Sequence, residues 1–167
     1  GIIEAKTRTP NKERYTGYLD LNLLSGGLLL EGPITKNLSF LVSVRRSWVD
    51  AFAKQVLKQS DLTLTVAPRF WDYQSRLHWM SNSRYNGKPV HELSLDVYGS
   101  DDLMTLLRGK DRDAMSFKLK NNYQRAQVKW LSRGAFGENT LVYAFGRNRE
   151  YNLVDANYHD ETRYVHT

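Results

Sequence analysis

The sequence predicts an all-β protein: an antiparallel up-and-down transmembrane β-barrel segment, comprising about seven to eight strands of a larger barrel. Apolar and polar residues alternate with a period of two in several stretches, as in strands with one buried face. Aromatic residues make up 12% of the chain, with 10 Tyr and 4 Trp, and Tyr and Trp are favoured at bilayer interfaces. Short turns and longer excursions alternate along the chain, which is typical of outer-membrane barrels; the turns are 33–37, 81–89 and 133–139, and the excursions are 48–68, 100–116 and 150–160.

Composition excludes several classes of protein. Hydrophobic residues are 41% of the 167 and mean hydropathy is −0.57, and the apolar runs are far shorter than the ~20 residues of a spanning helix. Barrel strands need only every second residue to be apolar. Cysteine is absent, which excludes disulfide scaffolds and Cys-ligated metals. The net charge of +6 weakly favours an anionic neighbour such as lipid phosphate, lipopolysaccharide or nucleic acid.

The stretch 31–48 is the clearest guide to the fold. Gly32-Pro33 and Lys36-Asn37 are turn formers, and a strand follows them. Its apolar residues fall on one face and its small or cationic residues mostly on the other, with Leu41 as the exception. Small Ser alternating with Arg suits the wet interior of a membrane barrel; the apolar set is Leu38, Phe40, Val42 and Val44, and the polar set is Ser39, Ser43, Arg45 and Ser47.

Around this stretch the pattern predicts further elements. Residues 1–8 form a short β-prone piece, and strands follow over 14–23 and 25–32. After the central strand the period changes: apolar residues at i, i+3, i+4, i+7 and i+8 predict a short amphipathic helix over 47–60, with Ser47 as a possible N-cap. We expect this helix to lie in a long extracellular loop.

The stretch 69–80 is the most regular strand. Trp71 and Trp79 are eight residues apart on one face, which spans roughly 26 Å at ~3.3 Å per residue. Allowing for strand tilt, that is nearly the height of an outer-membrane apolar band with its aromatic girdles. Later strands are predicted over 91–99, 117–132 and 140–149, with loops over 100–112 and 152–160, and residues 161–167 begin a further element.

Alternation divides the strand residues into two predicted faces. The candidates for the lumen-facing side are Arg45, Asp72, Gln74, Arg76, Glu92, Asp96, Arg125 and Lys129. The candidates for the lipid-facing side and its girdles are Phe40, Val42, Trp71, Tyr73, Leu77, Trp79, Leu93, Leu95, Trp130, Tyr143 and Phe145. The charged lumen residues either pair with one another or a plug, which we favour, or contact a passing solute.

Motifs for catalysis or metal binding are weak. The four histidines (His78, His91, His159 and His166) show no metal-ligand spacing. Asp101-Asp102 and Asp111-Arg-Asp113 could hold Ca²⁺, but a solvated, partly Arg-paired loop is the better interpretation. The serines lack a nucleophile-elbow context, and no Gly-rich phosphate loop is present. We therefore predict no enzyme activity, no cofactor and no metal site.

The front of the chain resembles the barrel of a TonB-dependent outer-membrane receptor. Residues 1–8 are similar to the last strand of that family's plug domain. Gly32-Pro33 and the strand 40–48 continue the resemblance, and the segments 68–79 and 98–102 complete it. It covers the chain to about residue 102, and beyond that only the strand pattern continues. The resemblance implies residues 1–10 as the last plug strand and link, and 11–167 as N-terminal strands of the outer-membrane barrel.

This resemblance implies a receptor in the bacterial outer membrane that imports a scarce solute of the metal-chelate, vitamin or glycan class. Its expected partners are outer-membrane lipid and lipopolysaccharide, the remainder of the barrel and plug in the same or another chain, and a TonB-type energy-coupling protein. Such receptors close about twenty-two strands around a plug, so we expect these strands to need partners outside the 167 residues.

Two alternatives remain at this point. One is a complete eight-stranded outer-membrane barrel with a structural or adhesive role. The other is a soluble β-rich module that binds single-stranded nucleic acid, which needs aromatic and cationic side chains on one face. Trp71, Tyr73 and Trp79 are predicted to face away from Arg76, so we expect no nucleic-acid partner.

Overall fold

The computed structural model describes residues 7–49, 64–108, 115–154 and 157–166. Eight strands form one antiparallel sheet in chain order, which confirms the all-β, up-and-down prediction. A two-residue ribbon, β5 with β6, stands apart from it. The strands are β1 (Thr16–Leu21), β2 (Ser25–Pro33), β3 (Leu38–Ser47), β4 (Leu64–Met80), β5 (Arg84–Tyr85), β6 (Lys88–Pro89), β7 (His91–Arg108), β8 (Met115–Gly134), β9 (Gly137–Val154) and β10 (Asn157–His166).

The sheet is open. Strand β1 pairs with β2 and strand β10 pairs with β9, and within the described ranges neither edge strand pairs with anything else. The eight strands therefore do not close on themselves in this structure. Each edge leaves a row of backbone N–H and C=O groups available for further pairing.

One end of the sheet, here the turn end, carries residues 34–37, 81–90 and 135–136. The ribbon turns at Asn86 (φ 50°) and Gly87 (φ 77°), the positive φ pair that a type I′ hairpin requires. Neighbouring turns are joined by backbone hydrogen bonds, from Met80 N to Asn37 O at 2.9 Å and from Arg133 N to Val90 O at 2.8 Å.

The predicted loops over 100–112 and 152–160 are wrong for most of their length. Strand β7 continues to Arg108, β9 continues to Val154 and β10 begins at Asn157. Neither stretch alternates clearly, because the apolar face gives way there to charged residues. These extensions are held by backbone ladders and by cross-strand ion pairs such as Arg69 to Asp101 at 3.4 Å.

The predicted contrast between short turns and long excursions is also largely wrong. Within the predicted excursions, residues 64–68, 100–108, 115–116, 150–154 and 157–160 belong to strands, whereas 50–63, 109–114 and 155–156 lie outside the described residues. The chain places its length in the strands instead: β4 has 17 residues and β8 has 20. A strand needs only ~9–11 residues to cross a membrane.

The predicted amphipathic helix over 47–60 is not supported. From residue 50 onward it lies outside the described residues, and the elements of the described part of the chain are all strands. Ser47, the predicted N-cap, is the last residue of β3, and its Oγ accepts a hydrogen bond from Phe70 N at 2.8 Å. In the predicted plug strand, residues 1–6 lie outside the described part, and Thr7 and Arg8 belong to no strand.

Candidate functional site: the polar face and the N-terminal segment

The register places all eight lumen-facing candidates on one face of the sheet. Cross-strand partners project to the same side of the sheet, and successive residues of a strand project to opposite sides. One partner row, for example, runs from Thr16 through Glu31, Leu41, Arg76 and Asp96 to Gln127. We call this side the polar face; of the candidates it carries Arg45, Asp72, Gln74, Arg76, Glu92, Asp96, Arg125 and Lys129.

The eleven lipid-facing candidates all lie on the opposite side, here called the apolar face. A representative row runs from Phe40 through Leu77, Leu95 and Val128 to Tyr143. The same face carries Val42, Trp71, Tyr73, Trp79, Leu93, Trp130 and Phe145. That the two faces meet lumen and lipid stays a prediction.

Burial on the two faces is the reverse of that in a water-soluble sheet. Leu29 and Leu41 are the buried apolar side chains of the described residues, and both project from the polar face. The buried polar residues are Ser25, Glu31, Ser39, Ser47, His78, Ser81, Ser94 and Asp96. Large apolar side chains are exposed on the other face, Leu77 by 41% and Trp130 by 42%. Soluble proteins normally bury such side chains and expose the polar ones.

The N-terminal segment (residues 7–15) crosses the polar face before β1 begins. Glu31 anchors it by an ion pair with Arg8 at 2.5 Å and by accepting a hydrogen bond from Asn11 N at 3.2 Å. Arg76 anchors it from β4, where its Nη1 donates to the backbone carbonyls of Thr7 at 3.1 Å and Arg8 at 3.0 Å. Contacts from β2 and β4 thus fix the path of the segment.

Arg76 can hold the segment because its other donors are already fixed. Its Nε donates to Asp96 Oδ1 at 2.5 Å and its Nη2 donates to Oδ2 at 2.8 Å. Both side chains are largely buried, with 12% of Arg76 and 7% of Asp96 exposed. The planar guanidinium matches a carboxylate bidentately and keeps further donors free. The pair therefore presents Nη1 to the segment in a set orientation.

A cavity of about 400 Å³ lies between the segment and the sheet. Thr7 and Arg8 form one side of it, and Tyr18, Gln74 and Tyr98 contribute from the strands. The lining combines hydroxyl, amide and ionic groups with the two buried leucines. Such a mixed wall can hydrogen-bond a polar solute, although it contains no arrangement for covalent chemistry.

A second polar cluster ties four strands together at the turn end. Glu92 accepts a hydrogen bond from Arg133 Nη1 at 2.5 Å and lies 3.1 Å from His78 Nε2. Arg133 also donates from Nε to Glu138 at 2.6 Å. These contacts link β4, β7, β8 and β9. Their chemistry is that of a structural brace, with every charge paired.

The remaining lumen-facing candidates do not join these clusters. Arg45 pairs with Asp72 at 2.8 Å nearer the far end, and the Arg125 guanidinium lies 5.1 Å from the centroid of the Tyr123 ring. Lys129 makes no ion pair with any described residue. Asp101, considered above as a calcium ligand, pairs instead with Arg69 and with Lys120.

Sequence reasoning missed Arg8, Glu31 and Arg133. Glu31 lies next to the run Leu28–Leu30, where no clean alternation marks its face. Only the register, which sets it in one row with Arg76 and Asp96, shows that its carboxylate joins the polar face. The N-terminal segment has no periodic pattern that would place it against the sheet.

Comparisons of the chain with protein-family models, curated proteins and solved structures gave no match. In the described part of the chain, no helix has the length and apolar character needed to cross a membrane. The features of this protein that bear on its function are therefore the two faces of the sheet and the contacts of the N-terminal segment.

Proposed function

We propose that this chain forms part of the wall of a β-barrel in the bacterial outer membrane, and that the barrel is a TonB-dependent receptor for a scarce solute. The observation that carries the proposal is the inverted burial of the sheet. Asp96 is 5% exposed on one face, whereas its neighbour Leu95 is 39% exposed on the other. Lipid solvates exposed leucine and tryptophan at no penalty, and water does not.

The dimensions of the apolar face support this proposal. On β4 it extends from Trp79 to Trp71, roughly 26 Å along the strand at ~3.3 Å per residue. Beyond Trp71 the same face turns charged, with Arg69, Asp101 and Lys120 close together. Strands of 17 to 20 residues are long enough to cross the hydrocarbon region and project well past it.

The boundary of the apolar face at the end far from the turns also runs obliquely across the sheet. The partner row of Trp71 passes through Asp101 and Asn122 to Arg149. On β9 the apolar residues that continue from the turn end stop at Phe145, and Arg147 and Arg149 follow on the same face. Strands of membrane barrels tilt by ~35–45°, so a band level with the membrane crosses the rows of partners at an angle. The slope of this boundary therefore supports the proposal.

The N-terminal segment supports the receptor class in particular. The resemblance implies that the chain before β1 comes from a plug inside the barrel. The segment does cross the polar face, where Arg76 and Glu31 hold it. A plug there would close the lumen until an energy-coupling protein of the TonB type moves it, and the solute would be a metal chelate, a vitamin or a glycan.

The open edges favour a larger barrel over a closed one of eight strands. In lipid each unpaired backbone group costs several kcal/mol, so we propose that the remainder of the barrel pairs with β1 and β10. The nucleic-acid alternative needs aromatic and cationic residues together. Trp79 and Trp130 lie on the apolar face, opposite Arg76 and Arg125, although Trp71 lies beside Arg46 and Arg69 at the charged boundary.

Membrane fractionation tests this proposal. We expect the protein in the outer-membrane fraction of the producing cells, resistant to alkaline carbonate extraction and released by neutral detergent. A soluble, monodisperse protein in buffer without detergent would contradict the membrane assignment. The receptor assignment is tested by co-purification of a TonB-type protein from the same detergent extract, with a non-receptor barrel as the control.

A further inference from the structure

Two adjoining cavities lie on the apolar face at its charged boundary. The first, of about 360 Å³, is lined by Arg46, Arg69 and Trp71. The second, of about 290 Å³, shares Arg46 and Trp71 with the first. Arg45 also contributes to its wall, and the other walls are mainly apolar, including Leu19, Leu21, Leu28, Val44 and Trp48. Together they form an elongated site with a cationic end and an apolar end, here called the boundary site.

The register brings the residues of the boundary site together. Arg46 and Trp71 are cross-strand partners on β3 and β4, and Arg69 lies two residues from Trp71 on the same face. Gly26, the partner of Arg46 on β2, provides the space for Trp48. A Cβ at Gly26 would lie 2.6 Å from the Trp48 ring, and Trp48 Nε1 donates to Leu23 O at 3.0 Å.

Among the described residues, the cationic end carries more positive than negative charge. Arg69 and Lys120 share the single carboxylate of Asp101, at 3.4 Å and 3.3 Å. Arg46 has no ion-pair partner among the described residues, and its side chain is exposed. Three cations therefore face one carboxylate, and the excess stands directly beside the apolar end.

We infer that the boundary site binds the phosphate-bearing headgroup of an anionic lipid, with an acyl chain along the apolar end. This inference rests on the proposed membrane location. Guanidinium groups bind phosphate oxygens bidentately, basic pockets beside a membrane select anionic headgroups, and tryptophan suits the level where headgroup meets chain. A free phosphate ion would use only Arg46 and Arg69 and leave the apolar end unfilled.

Binding of short-chain lipids to the detergent-purified protein tests this inference. Dioctanoyl phosphatidic acid is the probe, with dioctanoyl phosphatidylcholine and inorganic phosphate as comparison ligands, followed by native mass spectrometry and calorimetric titration. We expect phosphatidic acid to bind at least tenfold more tightly than either comparison ligand. R46Q should weaken that binding severalfold, and the double variant R46Q/R69Q should weaken it at least tenfold.

R125Q is the matched control, because Arg125 is a cation of the polar face that lines neither cavity and lies against the Tyr123 ring. It should leave phosphatidic acid binding within about twofold of wild type. Equal binding of both lipids, equal binding of inorganic phosphate, or equal losses in R125Q and R46Q would overturn the inference. So would a single-stranded oligonucleotide that binds the same arginines more tightly than the lipid.

The two proposals fail in different ways. If the protein resists carbonate extraction but binds both lipids equally, the lipid-binding inference is wrong and the membrane proposal is unaffected. A protein soluble without detergent would remove the membrane assignment first. Arg46 is exposed, so R46Q should fold like wild type, which its tryptophan fluorescence and its resistance to protease will check.

Discussion

The two faces of this sheet share every strand and differ in what buries them. On β3, Ser39 is 2% exposed, while Val42, three residues along on the other face, is 43% exposed. On the polar face, small side chains, ion pairs and the N-terminal segment exclude solvent. On the apolar face, none of the described residues packs over the leucines and tryptophans. The comparison teaches that hydrogen bonding and charge pairing hold the polar face, and that the large apolar side chains of the other face stay exposed, as the proposed lipid surrounding requires.

The contrast also predicts where substitutions should have large effects. A buried charge is tolerated only while its partner stays in place, because the unpaired ion keeps its full desolvation penalty. At a position that faces lipid, introducing a charged side chain destabilises the protein more than removing apolar contacts does. The same substitution should therefore change the stability differently at successive residues of one strand, which lie on opposite faces.

The largest effect is expected for Asp96→Asn on the polar face. This variant leaves the Arg76 guanidinium buried without its carboxylate, and breaking a buried pair costs about 3–5 kcal/mol. Reversible urea unfolding in lipid vesicles measures the change. Ser94→Ala is the control, since Ser94 is buried two residues away but carries no charge, and it should cost about 1 kcal/mol or less. Equal losses of unfolding free energy in both variants would show that breaking the Arg76–Asp96 ion pair costs no more than removing another buried polar group.

A somewhat smaller effect is expected for Leu77→Arg on the apolar face. Arginine near the bilayer midplane should lower the free energy of unfolding by about 2–4 kcal/mol. Gln74→Arg adds the same side chain to the same strand on the polar face, where Gln74 is exposed, and should cost much less. The fraction of folded protein in vesicles distinguishes them. A comparable loss of folded protein in both variants would contradict the assignment of the two faces.

Sequence patterns predicted the part of the fold in which one face is apolar throughout. In 38–47 and 69–80 alternation is regular except at Leu41 and Ser75, because every second residue lies on the apolar face. Beyond Trp71 that requirement ends, and the strand over 100–108 therefore carries no period to read. Its partners are set by the ladder with β4 and β8, which a single stretch of sequence does not contain.

The candidate site was predictable only in part for the same reason. Alternation assigned Arg76 and Asp96 to one face, but their pairing depends on the register between β4 and β7. The contacts of Arg76 with Thr7 and Arg8 join residues 68 and 69 positions apart. No local pattern encodes the path of residues 7–15, because the segment is held mainly through backbone groups of Thr7, Arg8 and Asn11, together with the Arg8 side chain.

The smallest effect on stability is expected for the Arg45–Asp72 pair. This exposed pair can be compared with the buried Arg76–Asp96 pair on the same face. It uses the same two donors as Arg76–Asp96, since Nε and Nη2 of Arg45 donate to Asp72, at 3.1 Å and 2.8 Å, but both reach the single oxygen Oδ2. Its side chains, however, are 54% and 37% exposed. A double-mutant cycle with Arg45→Gln and Asp72→Asn should give a coupling energy of about 0–1 kcal/mol.

This coupling should also decrease when salt is raised, because exposed charges are screened over a Debye length of about 10 Å at 0.1 M. The same cycle on Arg76→Gln and Asp96→Asn should give a larger coupling that salt changes little, since water is excluded from that pair. Equal couplings in the two cycles would mean that the N-terminal segment does not set the local dielectric. Identical residue types would then differ in exposure alone, and the segment would contribute contacts to the sheet without insulating its charges from water.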